Sequence, residues 1–277
     1  SVQADIILKG LGTRDYEADT QEVWFSVIFT GYLLNGLNMV TIKSVDQYSR
    51  DKFNAEDSLS KFLIPYLYSK DLDSEATKFL EKYYRKALKT PMPINMEELL
   101  ENMCLEMRYA PLPENIFGMT YFNEADVEVC DALKKNIHQE HIEAGTILIN
   151  PMIFFMRNVG SRNNTIVHEC VHWDRHNNFF ELQKLLNDDF SHISCEIVEK
   201  YDSKTSGIDD ALKWMEWQAN ALTPHILMPS ETTKIKFKEI LSDVRRAYPG
   251  TRTAVIAEFA VQSLADFFNV SVVSAKI

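Results

Sequence analysis

Five consecutive residues, His168-Glu169-Cys170-Val171-His172, form an HExxH pattern. On an α-helix, residues four apart project from one face a turn apart, so both imidazoles can bind a single metal ion. Glu169 lies about 100° around the helix axis, where it reaches a water beside the ion rather than the ion itself. Metal-assisted hydrolysis needs this set of groups: two neutral nitrogens for the ion and a carboxylate to take a proton from the attacking water. The alternative for the same five residues is an amphipathic helix carrying two packed or solvated histidines. A third protein ligand separates the two readings.

A catalytic zinc site takes three protein ligands and leaves a fourth position to water. The candidates downstream are His176, His192, Cys195, Glu216 and His225. His176 is another i+4 step on the same face, but a third turn rises too far for it to share one ion with His168. His192 and Cys195 form an HxxC pair, a spacing that packed or solvated residues meet more often than ligands do. Glu216 falls within a predicted helix among Trp214, Met215, Trp217 and Ala219. A carboxylate among large apolar neighbours needs a partner, and a metal is a suitable one. Spacing alone leaves open a solvent-facing glutamate on an amphipathic helix.

Glu216-Trp217-Gln218-Ala219-Asn220, followed by Ile226-Leu227-Met228-Pro229, resembles the ExxAN…LLMP signature of the ImmA/IrrE metallopeptidases. In that family the signature follows the HExxH helix and supplies the third ligand, which maps here to Glu216. Other stretches match in the same order. Met92-Pro93-Ile94 with Glu97-Glu98-Leu99-Leu100 looks like the helix that leads into the family's domain. Ile149-Asn150 is similar to its strand before the active-site helix, and Leu264–Ala275 (LADFFNVSVVSA) resembles its C-terminal LAxxFxVSxxA. The resemblance covers roughly residues 91–277, and its motifs are specific in combination. Two departures stand out: a gap of 44 positions from His172 to Glu216, which implies an insertion around 176–210, and Pro224-His225 where the family carries plain helix formers.

The resemblance implies Zn²⁺ held by neutral His168, neutral His172 and ionised Glu216, with an open fourth position. Glu169 would take the proton of the attacking water and deliver it to the leaving amine. Asn220, one turn after Glu216, would accept a hydrogen bond from a ligating His and fix its orientation. Cys170 faces the other side of the helix and reads as packing. Tyr201, His225 and Tyr248 have chemistry suited to stabilising an oxyanion, with no spacing to choose among them. The substrate class the resemblance implies is a helix–turn–helix repressor protein, cleaved to release transcription. The competing function is a non-catalytic, zinc-containing regulatory or antitoxin-like binding module, against which Glu169 counts because a structural site needs no general base.

The elements that must position these residues are α+β in order, mostly helical with a small sheet next to the HExxH helix; the resemblance implies that they form a zincin-like metallopeptidase core. Asn163, Asn164 and Thr165 offer caps for a helix through Ile166 to about Trp173. Phe117–Phe122, Val127–Val129 and Thr146–Ile149 have strand character just before it. Asn95–Met103 reads as a short helix capped by Asn95, and a helix from Ala211 to about Met228 is stopped by Pro229. Helix returns in the last third, with a break at Tyr248-Pro249-Gly250. Leu264–Ala275 has the look of a helix–turn–helix with Asn269 at its turn. Only Lys276 is basic nearby, so a packing role is expected rather than DNA reading.

Asp71–Leu88 places Ala76, Phe79, Leu80, Tyr83, Tyr84 and Leu88 at helical spacing, with Asp73 or Ser74 as its cap. The two prolines of Lys89–Ile94 end that helix and mark the expected boundary between an N-terminal helical extension, residues 1–90, and the metallopeptidase domain, 91–277. No charged residue occurs from Trp24 to Ile42, but Asn, Gly, Ser and Thr interrupt the run. A buried core segment is expected there rather than a membrane span.

The 277 residues are 45% hydrophobic and 25% charged, a balance that excludes a disordered or fibrous chain. Forty Asp and Glu against 29 Lys and Arg leave a net charge of −11. That sign opposes a dominant nucleic-acid surface and is compatible with a basic protein substrate. Four scattered cysteines make no disulfide framework and suggest reduced thiols in the cytoplasm. No signal-peptide pattern is expected from the opening residues.

Overall fold

The computed structural model describes residues 2–8, 19–32, 38–47, 59–60, 62–113, 116–131, 136–152, 159–186, 192–194 and 208–276. It is a mixed helical and sheet structure, and its tertiary contacts divide the chain into two compact units, Ser1–Ser60 and Lys61–Ile277.

The first unit is a three-stranded antiparallel sheet in the order β1 (Val2–Leu8), β2 (Asp19–Tyr32), β3 (Asn38–Gln47). This corrects the expected helical extension. The run from Trp24 is rich in aromatic and β-branched residues, which fit a pleated surface better than a helix. Val27 pairs with Val45, Phe29 with Ile42 and Thr30 with Thr41, cross-strand partners of matched shape. Nor do the described residues of the run form a buried core segment, since Ile28 is 58% and Met39 81% exposed. No helix among the described residues is long and apolar enough to cross a membrane.

The second unit begins at Lys61, well ahead of the Pro-rich stretch Lys89–Ile94. Helix α1 (Leu72–Tyr83) buries Ala76, Phe79 and Leu80, and a 3-10 turn, Arg85–Leu88, follows it. Its N-cap is Asp71, whose carbonyl accepts from the Ser74 hydroxyl. Helix α2 (Met96–Met103) starts as expected, the Asn95 side chain accepting from Glu98 N at 3.0 Å. Both helices share one core cluster with Ile166, Val167 and Leu222. The residues 61–90 are thus built into the same core as those that follow.

Four strands form the main sheet in the order β4-β8-β5-β9: β4 (Glu106–Tyr109), β8 (Thr146–Ile149), β5 (Gly118–Tyr121) and β9 (His192–Ser194). Strand β4 runs parallel to β8, and β5 is antiparallel to both of its neighbours. Every residue of β5 and β8 is buried, so neither shows the alternation of a half-exposed strand. Strands β6 (Ala125–Asp131) and β7 (Asn136–Ile142) make a separate antiparallel pair.

The HExxH helix is α3 (Val159–Leu186), 28 residues long. It begins before the expected Asn163 cap. Inside the helix, the Asn163 amide donates to Asn269 O at 3.1 Å, tying α3 to the C-terminal segment. Near Gly160 the C-terminal segment approaches so closely that an added Cβ would sit 2.3 Å from the carbonyl carbon of Val270. Helix α3 is buried almost all round from Thr165 to His172, the mark of a central helix rather than a surface one. Packed on it is α4 (Ile208–Leu227), while α5 (Ser230–Ala247) and α6 (Thr253–Phe268) pack on each other. Pro224 sits inside α4 without ending it. The carbonyl that loses its donor belongs to Asn220, which is exposed to solvent. After α6, Asn269 takes a left-handed conformation (φ 53°), and the expected second helix is only a 3-10 turn, Ser274–Lys276.

Candidate metal centre

Helices α3 and α4 pack face to face. Met215, Ala219 and Leu222 anchor the buried face of α4, which carries Glu216 to the turn of α3 holding both histidines. His168 Nε2 and His172 Nε2 are 2.9 Å apart. Glu216 Oε2 lies 3.2 Å from His168 Nε2, and Oε1 lies 3.1 Å from His172 Nε2. All three residues are buried, and their donor atoms lie within 4.8 Å of one another. Such a group can hold a metal ion.

The polar atoms themselves support that fit. Both carboxylate oxygens of Glu216 are buried and accept no well-formed hydrogen bond despite the short contacts. Buried carboxylates without donors are strongly disfavoured unless a cation satisfies them. Metal bonds of about 2.0–2.2 Å in a tetrahedral set place donors roughly 3.3 Å apart, within a few tenths of the observed contacts. Burial works to raise the Glu216 pKa, but the imidazoles of His172 and His168 outweigh it and hold the group at about 2. Burial pushes His172 below the usual histidine range. An ionised carboxylate beside a neutral imidazole is the protonation state a metal requires.

Glu169 is fully buried and stands apart from this set. Its Oε2 accepts from the Thr120 hydroxyl at 2.6 Å, across from strand β5, and its Oε1 has no partner. Gly118, two residues earlier on the same strand, makes the room. A Cβ there would sit 2.5 Å from Glu169 Oε1. Burial raises the Glu169 pKa to about 7, with the nearby His168 and the Thr120 hydrogen bond opposing the shift. A carboxyl poised near neutrality can both take and return a proton.

Behind His172 the chain continues in polar contacts. His176 Nδ1 lies 2.9 Å from His172 Nδ1, and His176 Nε2 lies 3.4 Å from Gln218 Oε1 on α4. Gln218 Nε2 donates to Pro65 O at 2.8 Å, and Arg175 Nε donates to Gln218 Oε1 at 3.3 Å. Burial keeps the His176 imidazole neutral, its pKa well below the ordinary value.

The other expected residues lie elsewhere. Asn220 is exposed on α4, and the group at His172 Nδ1 is His176. Cys170 packs in the main core cluster, where burial pushes its thiol pKa up. His225 pairs with Asp73 at 2.6 Å, and Tyr248 is exposed and stacked on Phe259. His192 falls on β9 opposite Tyr121. Cys195 and Tyr201 lie outside the described residues, as does most of the inserted stretch before α4. Sequence reasoning missed Thr120, Gly118 and the His176–Gln218 contact. Thr120 is 49 positions from Glu169, so no local spacing could have paired them. A scan against protein-family models and a search of curated proteins both find no match to this chain.

Proposed function

We propose that the chain is a zinc-dependent endopeptidase with a zincin-like core of the ImmA/IrrE kind. The single observation that carries this reading is the division of labour among buried acids. Glu216 converges with His168 and His172, while Glu169 on the same turn is held off by Thr120 with one oxygen unpartnered. A purely structural metal site has no use for that second carboxylate.

His168, His172 and Glu216 would hold the ion, a His₂Glu set suited to zinc. When bound, the zinc supplies a nucleophilic water at neutral pH and polarises the scissile carbonyl. Glu169 takes the water's proton at Oε1, the oxygen free of Thr120, and returns it to the leaving amine. Thr120 fixes the carboxylate's direction through Oε2. The low exposure of all four residues keeps bulk water from competing for these contacts. The motif order from Met92 to Ala275 supports a helix–turn–helix repressor protein as substrate, and the net charge of −11 suits a basic one.

The test is to incubate the purified full chain with helix–turn–helix repressor proteins and an unbiased peptide library. Fragments are mapped by mass spectrometry with zinc present, after chelation, and after zinc is restored. Cleavage that disappears with chelation and returns with zinc is the expected result. No cleavage of any substrate by the zinc-loaded chain would favour the non-catalytic binding module.

A further inference from the structure

Neutral imidazole carries a single N–H, so each buried histidine in a chain of contacts has one donor and one acceptor to place. His172, His176 and Gln218 are all fully buried, which leaves no water to correct a mismatch. We propose that His176 and Gln218 form a one-way hydrogen-bond chain that holds His172 as its Nδ1–H tautomer, leaving the Nε2 lone pair for the metal. His176 is thereby a positioning residue and not a ligand. The inference rests on the metal-site reading above.

The direction follows from the far end of the chain. Gln218 Nε2 donates to the Pro65 carbonyl at 2.8 Å, which fixes the amide so that Oε1 faces His176 Nε2 at 3.4 Å. Arg175 Nε donates to the same oxygen at 3.3 Å, and its guanidinium is itself held by Glu75 at 2.7 Å. Facing an acceptor, His176 carries its proton on Nε2 and presents the Nδ1 lone pair to His172 Nδ1, 2.9 Å away. His172 Nδ1 must then be the donor, and its Nε2 is free beside His168 and Glu216. Reversed, the chain would set the His176 Nε2 lone pair against the Gln218 carbonyl oxygen and put a proton on His172 Nε2, where the ion belongs. Flipping the amide to avoid this would break the bonds to both Pro65 and Arg175. With a cation between His172 Nε2 and Glu216, which lie 3.1 Å apart, this direction alone satisfies every group, and it links the ligand on α3 to α4 and to the segment before α1.

The experiment uses the full chain labelled with ¹⁵N-histidine. Long-range proton–nitrogen correlation reads the tautomer of each ring, and a competing chelator reads zinc affinity in wild type, His176→Phe, His176→Gln and Gln218→Leu. Circular dichroism checks that each variant is folded. We expect His176 as the Nε2–H tautomer with and without zinc. His176→Phe weakens zinc binding about 10–100-fold, the usual effect of losing a group that orients a ligand. His176→Gln, whose carbonyl oxygen can accept from His172 Nδ1, restores most of that loss. His176 seen as the Nδ1–H tautomer would overturn the proposal, as would equal affinity in wild type and His176→Phe, or equal losses in the Phe and Gln variants. If His176→Phe does not fold, the wild-type tautomer and a weakened Gln218→Leu decide the matter. A wild-type chain that takes up no zinc sinks the metal reading instead, while the His176 tautomer still reports the direction of the chain.

Discussion

The Thr120 hydroxyl donates to Glu169 Oε2 at 2.6 Å, joining the middle of a buried strand to the buried carboxylate of the HExxH turn. The two residues have no exposure to solvent, so the bond is neither screened nor replaced by water. It engages one oxygen of the carboxylate and leaves Oε1 without a hydrogen-bond partner.

Thr120→Val keeps the shape of the side chain and removes its only donor. Glu169 would then have no fixed direction in its pocket. A hydrogen bond to a charged group contributes about 1.5–3 kcal/mol, so kcat/KM is expected to fall roughly 10–100-fold. Zinc content, measured by elemental analysis, stays at the wild-type level. A variant with unchanged kinetics would show that Glu169 is aimed by something else.

Glu216→Ala removes the one ligand supplied by α4 and leaves two imidazoles, too few for a tight site. One zinc per wild-type chain and nearly none in the variant, after dialysis against a chelator, is the expected contrast. Zinc retained by Glu216→Ala would transfer the third position to His176, His192 or Cys195.

Glu75 links α1 to α3 through Arg175 at 2.7 Å and also meets Lys78 at 2.6 Å. Burial acts to raise its pKa, but hydrogen bonds and charge from Lys78 and Arg175 bring it below the ordinary 4.5. A lowered folded-state pKa means the carboxylate stabilises the fold above its unfolded value and loses that effect as pH falls through the folded one. Glu75→Gln is therefore expected to lower stability at neutral pH by about 1 kcal/mol, a partly exposed pair being screened. The gap between wild type and variant should close from about pH 5 downward in urea titrations. A gap that widens toward acid would reverse the assigned sign.

Local signals carried the elements that local chemistry decides. Asn95 caps α2, Pro229 follows α4, and Thr146–Ile149 is a strand from end to end. They failed where distant partners decide. Asn163 looks like a cap, yet it lies inside α3, which starts by Val159, and its amide donates across to Asn269 O. The uncharged run from Trp24 reads equally as buried helix or strand, because its aromatic and β-branched content has no clear period. Within the site, the helical spacing of His168 and His172 and the motif around Glu216 identify the residues that converge. His176 could be dismissed as a ligand by helix rise alone. Its place behind His172 depends on Gln218, which the packing of α3 on α4 brings to it from 42 positions away.

The proposed role of Glu169 as the base of a zinc peptidase is decided by single-turnover cleavage with zinc-loaded Glu169→Gln beside wild type. The amide is nearly isosteric and cannot take a proton, and Glu169 is not among the converging ligands. Full zinc content in the variant and a cleavage rate lower by about two to four orders of magnitude are expected. Cleavage at the wild-type rate by the zinc-loaded variant would contradict that role.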